Sequence, residues 1–143
     1  MYIFISYAGN EGLRYAKILN DILSSGGHDT FLFEENVTAD DRIYSRLGNA
    51  LDSCRIAAII ITESSHTSEE QKEEYNVACS LKKGKGLIKE GVDWGEFTML
   101  ISRQYVKFND SNVEEKMKGF LQSVDRIPAS EDVSLTDEGG EIE

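Results

Sequence analysis

Acidic side chains are densest in the run Ser68-Glu69-Glu70-Gln71-Lys72-Glu73-Glu74. Helix chemistry accounts for its first half. Ser68 suits an N-cap, Glu69 and Glu70 suit the positive end of the macrodipole, and Gln71 suits the far side of a capping box. Glu73 and Glu74 lie too far along the helix for that explanation. Glu73 fits plain solvated surface. Glu74 stands beside an inward Tyr75 and four residues before Ala78, so it borders the buried face; spacing alone leaves open whether it is catalytic or structural. Ser6-Tyr7-Ala8 form a second group of small and polar residues, just past an apolar run. His28 and His66 have no Cys or clustered acid at ligand spacing and read as surface or turn residues, so no metal is expected.

The elements that must carry these residues alternate strand and helix. Tyr2-Ile-Phe-Ile5 is apolar on both faces, as a central parallel strand is, and open α/β sheets bind ligands at the carboxyl ends of such strands. Leu13, Ala16, Leu19, Ile22 and Leu23 share one helical face, and Gly26-Gly27 stops that helix. Thr30–Phe33 reads as a second strand, followed by a polar loop over 34–41. A helix carries Ile43, Leu47, Ala50, Leu51 and Cys54. Ile56–Thr62 is the most buried-looking strand. The helix from Glu69 to about Lys83 turns Tyr75, Ala78, Cys79 and Leu81 inward and ends at Gly84. Leu87-Ile88 begins a shorter fourth strand, Trp94 reads as packing, and Tyr105, Val106 and Phe108 mark the last strand. Val113, Met117, Phe120, Leu121 and Val124 form a final amphipathic helix. This alternation predicts a flavodoxin-like three-layer α/β/α sandwich, with a five-stranded parallel sheet in the order 2-1-3-4-5.

Composition narrows the function. The chain has 143 residues, one domain's worth, with 40% hydrophobic and 29% charged residues, and a net charge of −11. From Ala129 to Glu143 there are six acids and no Lys or Arg, leaving 20 acids against 15 bases before that segment. The expected division is a folded domain over 1–127 and an acidic, disordered tail over 128–143. An acidic body with no basic stripe argues against nucleic acid as a partner. No apolar stretch is long enough for a membrane helix, and no signal peptide is visible at the start. Cys54 and Cys79 both fall on apolar helix faces as buried free thiols, so the expected location is the cytoplasm.

Four blocks, in order and with matching elements, resemble Toll/interleukin-1 receptor (TIR) domains. They are Phe4-Ile5-Ser6-Tyr7; the polar loop at 34–42; Asp52-Ser53-Cys54-Arg55 before Ile56–Thr62; and Ser68-x5-Glu74-Tyr75-x2-Ala78. Together they cover residues 2 to about 83, and from Leu87 onward the likeness is one of topology. The chain departs from the family in having Glu70 where a bulky aromatic is frequent, and in lacking a Pro-Gly turn in the loop.

Many prokaryotic-type and plant TIR domains cleave the nicotinamide–ribose bond of NAD+. The resemblance implies Glu74 as the catalytic residue, with Glu73 as the alternative register. It also implies a substrate pocket bordered by Ser6, Tyr7, Ala8, Asn36, Ser68 and Glu70. NAD+ would be substrate rather than cofactor. The products would be nicotinamide with ADP-ribose or a cyclic isomer, in immune or toxin-like signalling. The loop from Asn36 to Arg42 would cover the site and join a head-to-tail assembly of TIR domains, formed by self-association or through a separate clustering protein. Two other readings stand beside this one. A non-catalytic TIR module would bind other TIR domains through its surfaces, and a nucleoside deoxyribosyltransferase would also use a glutamate on an N-glycosidic bond. A receiver domain is disfavoured, because the third strand ends Ile61-Thr62-Glu63 instead of in an aspartate.

Overall fold

A computed structural model of the protein describes residues 2–32, 52–92, 104–127 and 140–141. Strand β1 (Tyr2–Ser6) leads into helix α1 (Gly9–Ser25), and β2 follows over Asp29–Leu32. Beyond it lie β3 (Ile56–Ile61), a 3-10 turn (Glu63–Thr67) and α2 (Glu69–Ser80). β4 (Gly84–Lys89), β5 (Gln104–Phe108) and α3 (Val113–Asp125) come next, and Gly140–Glu141 form a short β6.

All strand pairings are parallel, in the order β2-β1-β3-β4-β5-β6. The five expected strands thus stand in the expected order. A sixth, from the acidic C-terminal segment, pairs Gly140 with Gln104 and Glu141 with Tyr105. Residues 128–139 of that segment lie outside the described residues, as do the expected helix over 43–51, the loop over 34–42 and Trp94.

Alternation along the strands divides the core in two, one half on each face of the sheet. On one face Ile3, Ile5, Ala58, Ile60, Leu87, Val106 and Phe108 pack against α1 and α3, through Tyr15, Leu19, Leu23, Met117 and Phe120. On the other, Phe4, Ala57, Ile59, Ile61 and Ile88 pack against α2, through Tyr75, Ala78 and Cys79. Every residue of β3 is buried, which is why both faces of that run are aliphatic. Cys54 and Cys79 are buried free thiols.

Two helix ends show how local chemistry sets the spacing of elements. After α1, Gly27 takes φ +88°, and the N–H groups of Gly27 and His28 return to the carbonyls of Ser24 and Leu23. This is the left-handed closure that Gly favours. The end of α2 differs from the sequence expectation, in which the helix ran to about Lys83 and stopped at Gly84. Lys82, at φ +59°, makes the same closure, with the N–H groups of Lys82 and Lys83 on the carbonyls of Cys79 and Ala78. Gly84 is therefore already the first residue of β4. Leu81, expected inward, caps the helix and is 39% exposed.

β4 also buries a charge. Lys85 is 2% exposed, and this burial pushes its ammonium down to about 8. The folded value lies below that of the unfolded chain, so between these two values the unfolded state holds more protons and stability rises with pH. We expect unfolding free energy to climb from about pH 8 to about pH 10.5 in the wild type and to lose that limb in Lys85→Met, as read by urea titrations across the range.

Candidate active site

Strand order reverses at β1. Helix α1 leaves β1 onto one face of the sheet, while α2, reached from β3, packs on the other. The carboxyl ends of β1 and β3 therefore mark the topological switch point, the position where doubly wound sheets take ligands. Packing there is tight. A Cβ on Gly9, at φ +69°, would lie 2.6 Å from Ser64 Oγ of the 3-10 turn, so the start of α1 and that turn approach as only glycine allows.

Ser6 is the last residue of β1, 1% exposed, with its side chain on the α2 face. Its Oγ donates a hydrogen bond of 2.7 Å to Glu74 Oε1. Glu74 is half-buried, whereas its neighbour Glu73 is exposed. Of the two acids left open by the sequence, Glu74 is the one that reaches the carboxyl end of β1. Helix periodicity explains this: Glu74 follows Gln71 by three residues and precedes Ala78 by four, and both of these are fully buried.

Ser68 caps α2 as expected, its Oγ accepting from the Gln71 N–H at 3.1 Å. The second half of the expected capping box does not form. Gln71 Nε2 donates instead to the Ile60 carbonyl at 2.7 Å, and Gln71 is completely buried. Sequence reasoning missed this contact, because Glu or Gln three residues after a Ser is so regularly a box.

The remaining expected site residues are dispersed. Ala8 is buried and is the N-cap of α1. Tyr7, 8% exposed, belongs to the core cluster beneath α1, on the face away from Glu74. Glu70 is exposed, one turn before Glu74. Asn36 lies outside the described residues. The structure thus brings Ser6 and Glu74 into contact, leaves Ser68 six residues before Glu74 at the N-cap of α2, and does not set Tyr7 beside the pair.

An ionic cluster that the sequence did not reveal ties α1 to the sheet. Lys89 Nζ, at the end of β4, pairs with Glu11 Oε2 of α1 at 2.9 Å. Arg14 Nη2 pairs with Asp110 Oδ1 at 3.1 Å and lies over the ring of Tyr15. The Tyr15 hydroxyl donates to the same Asp110 oxygen. That hydroxyl, with Arg14 behind it, holds the Asp110 carboxyl below its ordinary range, while Glu11 holds the Lys89 ammonium above its own. These pairs fasten the first turns of α1 to the ends of β4 and β5. His28, beyond α1, meets Asp125 at 2.7 Å. Among the described residues, no group of three or more His, Cys, Asp or Glu side chains is placed to hold a metal, and no helix is long and apolar enough to cross a membrane.

A parallel sheet in this order, with helices on both faces, defines the flavodoxin-like class of α/β domains. The family model of the TIR domain matches residues 3–122, and the chain belongs to that family. No curated protein matches the chain in sequence. Among solved structures, the CMP N-glycosidase BcmB of Clostridium botulinum shares the fold, with a TM-score of 0.61 at 15% identity over 87% of this chain and 98% of that one.

Proposed function

We propose that this TIR domain is an N-glycosidase that cleaves the nicotinamide–ribose bond of NAD+, with Glu74 as its catalytic carboxylate. The observation that carries this reading is the 2.7 Å bond from Ser6 to Glu74 at the carboxyl end of β1. It presents a half-buried carboxylate with one oxygen fixed in direction.

Such a group suits the chemistry. The C1′–N bond breaks heterolytically, its electron pair leaves with the nicotinamide nitrogen, and positive charge develops on the ribose. A held carboxylate stabilises that charge and accepts hydrogen bonds from ribose hydroxyls. Because nicotinamide departs as a neutral molecule, neither a metal nor a strong acid is required. A water oxygen then bonds to C1′ and loses a proton, giving ADP-ribose; an adenine nitrogen of the same molecule gives a cyclic isomer instead. Other TIR domains are the expected partners, through self-association or a clustering protein.

The deciding experiment is nicotinamide release from NAD+ at high protein concentration, where self-association is favoured, with cytosine release from CMP assayed in parallel. Nicotinamide release supports the proposal. Cytosine release alone moves the substrate to pyrimidine nucleotides, the class named for the structural neighbour. Release of neither base, with a clustering partner also supplied, leaves a TIR interaction module.

Ser6→Ala provides a second check. It removes the donor to Glu74 while leaving a residue small enough for the same buried space. A hydrogen bond to a charged group is worth about 1.5–3 kcal/mol, so kcat/KM is expected to fall roughly 10- to 100-fold. Activity unchanged in that variant would separate the pair from the chemistry.

A further inference from the structure

Gln71 is fully buried although the other residues of its turn, Glu69 and Glu70, are exposed. Its carboxamide crosses to the end of β3, where Nε2 donates to the Ile60 carbonyl at 2.7 Å. The register between β1 and β3 stops one residue earlier, at Ser6 opposite Ile59. Ile60 thus stands one residue beyond the end of β1, while still in register with Leu87 of β4, and its carbonyl accepts from two side chains: Gln71, and at 3.5 Å the hydroxyl of Ser65.

The backbone of Gln71 is held as well, its N–H bonded to Ser68 Oγ at 3.1 Å. The first turn of α2 is therefore fixed at one residue by two bonds, one within the turn and one across to the sheet. Three residues on, along the same side of the helix, Glu74 reaches Ser6 of β1. The Oε1 atom of Gln71 is buried with no partner among the described residues. Burying an unpaired amide oxygen is costly, and an apolar side chain filling this space would avoid that cost. What glutamine supplies here is a donor with a direction.

We propose that Gln71 is a positioning residue for the glycosidase reaction: its clamp on the Ile60 carbonyl sets the height and rotation of α2 at which Glu74 meets Ser6 and the ribose. This inference rests on the reading of Glu74 as the catalytic carboxylate. It departs from the ordinary role of a residue at this point of a helix, which is to cap the helix itself.

Gln71→Met keeps the volume and removes the donor. With NAD+ as substrate, kcat is expected to fall roughly 10- to 100-fold with KM little changed, as misplacement of a reacting group does. At fixed pH, the Glu74 Cδ chemical shift is expected to move toward its value in Ser6→Ala. The double variant is expected to lose less than the two single losses combined, since both act on one contact. Gln71→Glu adds a pH profile: its carboxyl can donate to Ile60 only while protonated, so kcat is expected to decline with rising pH along a limb that Gln71→Met lacks. This variant, assayed on the acid side, also serves if Gln71→Met fails to fold.

An unchanged kcat together with an unchanged Glu74 shift overturns the proposal. A rise in KM alone overturns it too, by making Gln71 a substrate contact, and so does strict additivity with Ser6→Ala. If the wild type releases no nicotinamide, the substrate reading fails by itself. The Glu74 shift in Gln71→Met and Ser6→Ala still decides whether Gln71 positions that carboxylate.

Discussion

Replacing Glu74 by Gln is expected to abolish most nicotinamide release, lowering kcat roughly 10²- to 10⁴-fold, the usual cost of losing a charge that faces the reacting centre. Gln is the informative substitution because it retains an acceptor oxygen for Ser6, whose hydroxyl is buried and would otherwise be left unpaired. Glu74→Ala leaves that hydroxyl without its acceptor and adds a stability loss of about 1–3 kcal/mol, which would confound the rate. Glu73 is exposed on the adjoining position of the helix, so Glu73→Ala is expected to keep full activity. Steady-state kinetics on the three variants, with circular dichroism to verify folding, separate the two acids. Equal losses at both positions would mean that charge near α2, rather than the bond to Ser6, is what matters.

Phe120→Ala is expected to produce the largest loss of stability. Phe120 is fully buried in the cluster between α3, α1 and the sheet. Its truncation removes apolar contact and leaves a cavity, typically at a cost of about 3–5 kcal/mol, or roughly 10–20 °C in melting temperature for a domain of this size. Glu74 and Ser6 lie on the other face, so KM and kcat per folded molecule are expected to stay at their wild-type values below the transition. Differential scanning calorimetry gives the first quantity and kinetics at low temperature the second. A change in kcat in this variant would show that the two halves of the core are coupled through the sheet.

The parts of this fold that rest on periodicity were legible in the sequence. β1 and β3 are runs of aliphatic residues that fit only a strand covered on both sides, and α1 and α3 carry clean helical stripes. β4 was read too short, because Gly84-Lys85-Gly86 has neither the branched residues nor the alternation of a strand, yet all three are buried beside β3. The end of α2 was misplaced for a related reason: Lys82 adopts the left-handed turn that a reader looks for at glycine. In the site, Glu74 was legible as an acid bordering a buried face. Its bond to Ser6, 68 residues earlier, was not, since no local spacing encodes such a contact. The family resemblance put both residues at one pocket. The role of Gln71 was hidden by a simpler local explanation of the same residue.

The short sixth strand bears on the open edge of the sheet. An open strand edge offers unsatisfied backbone groups to any passing chain and is a recurrent starting point for aggregation. Here Gly140 and Glu141 lie along β5 opposite Gln104 and Tyr105. A chain approaching this side meets backbone already engaged at Gln104 and Tyr105, on a protein whose net charge is −11. Gly140 and Glu141 thus occupy the first part of the β5 edge against edge-to-edge pairing, and shortening the chain at residue 127 would leave Gln104 and Tyr105 without that partner.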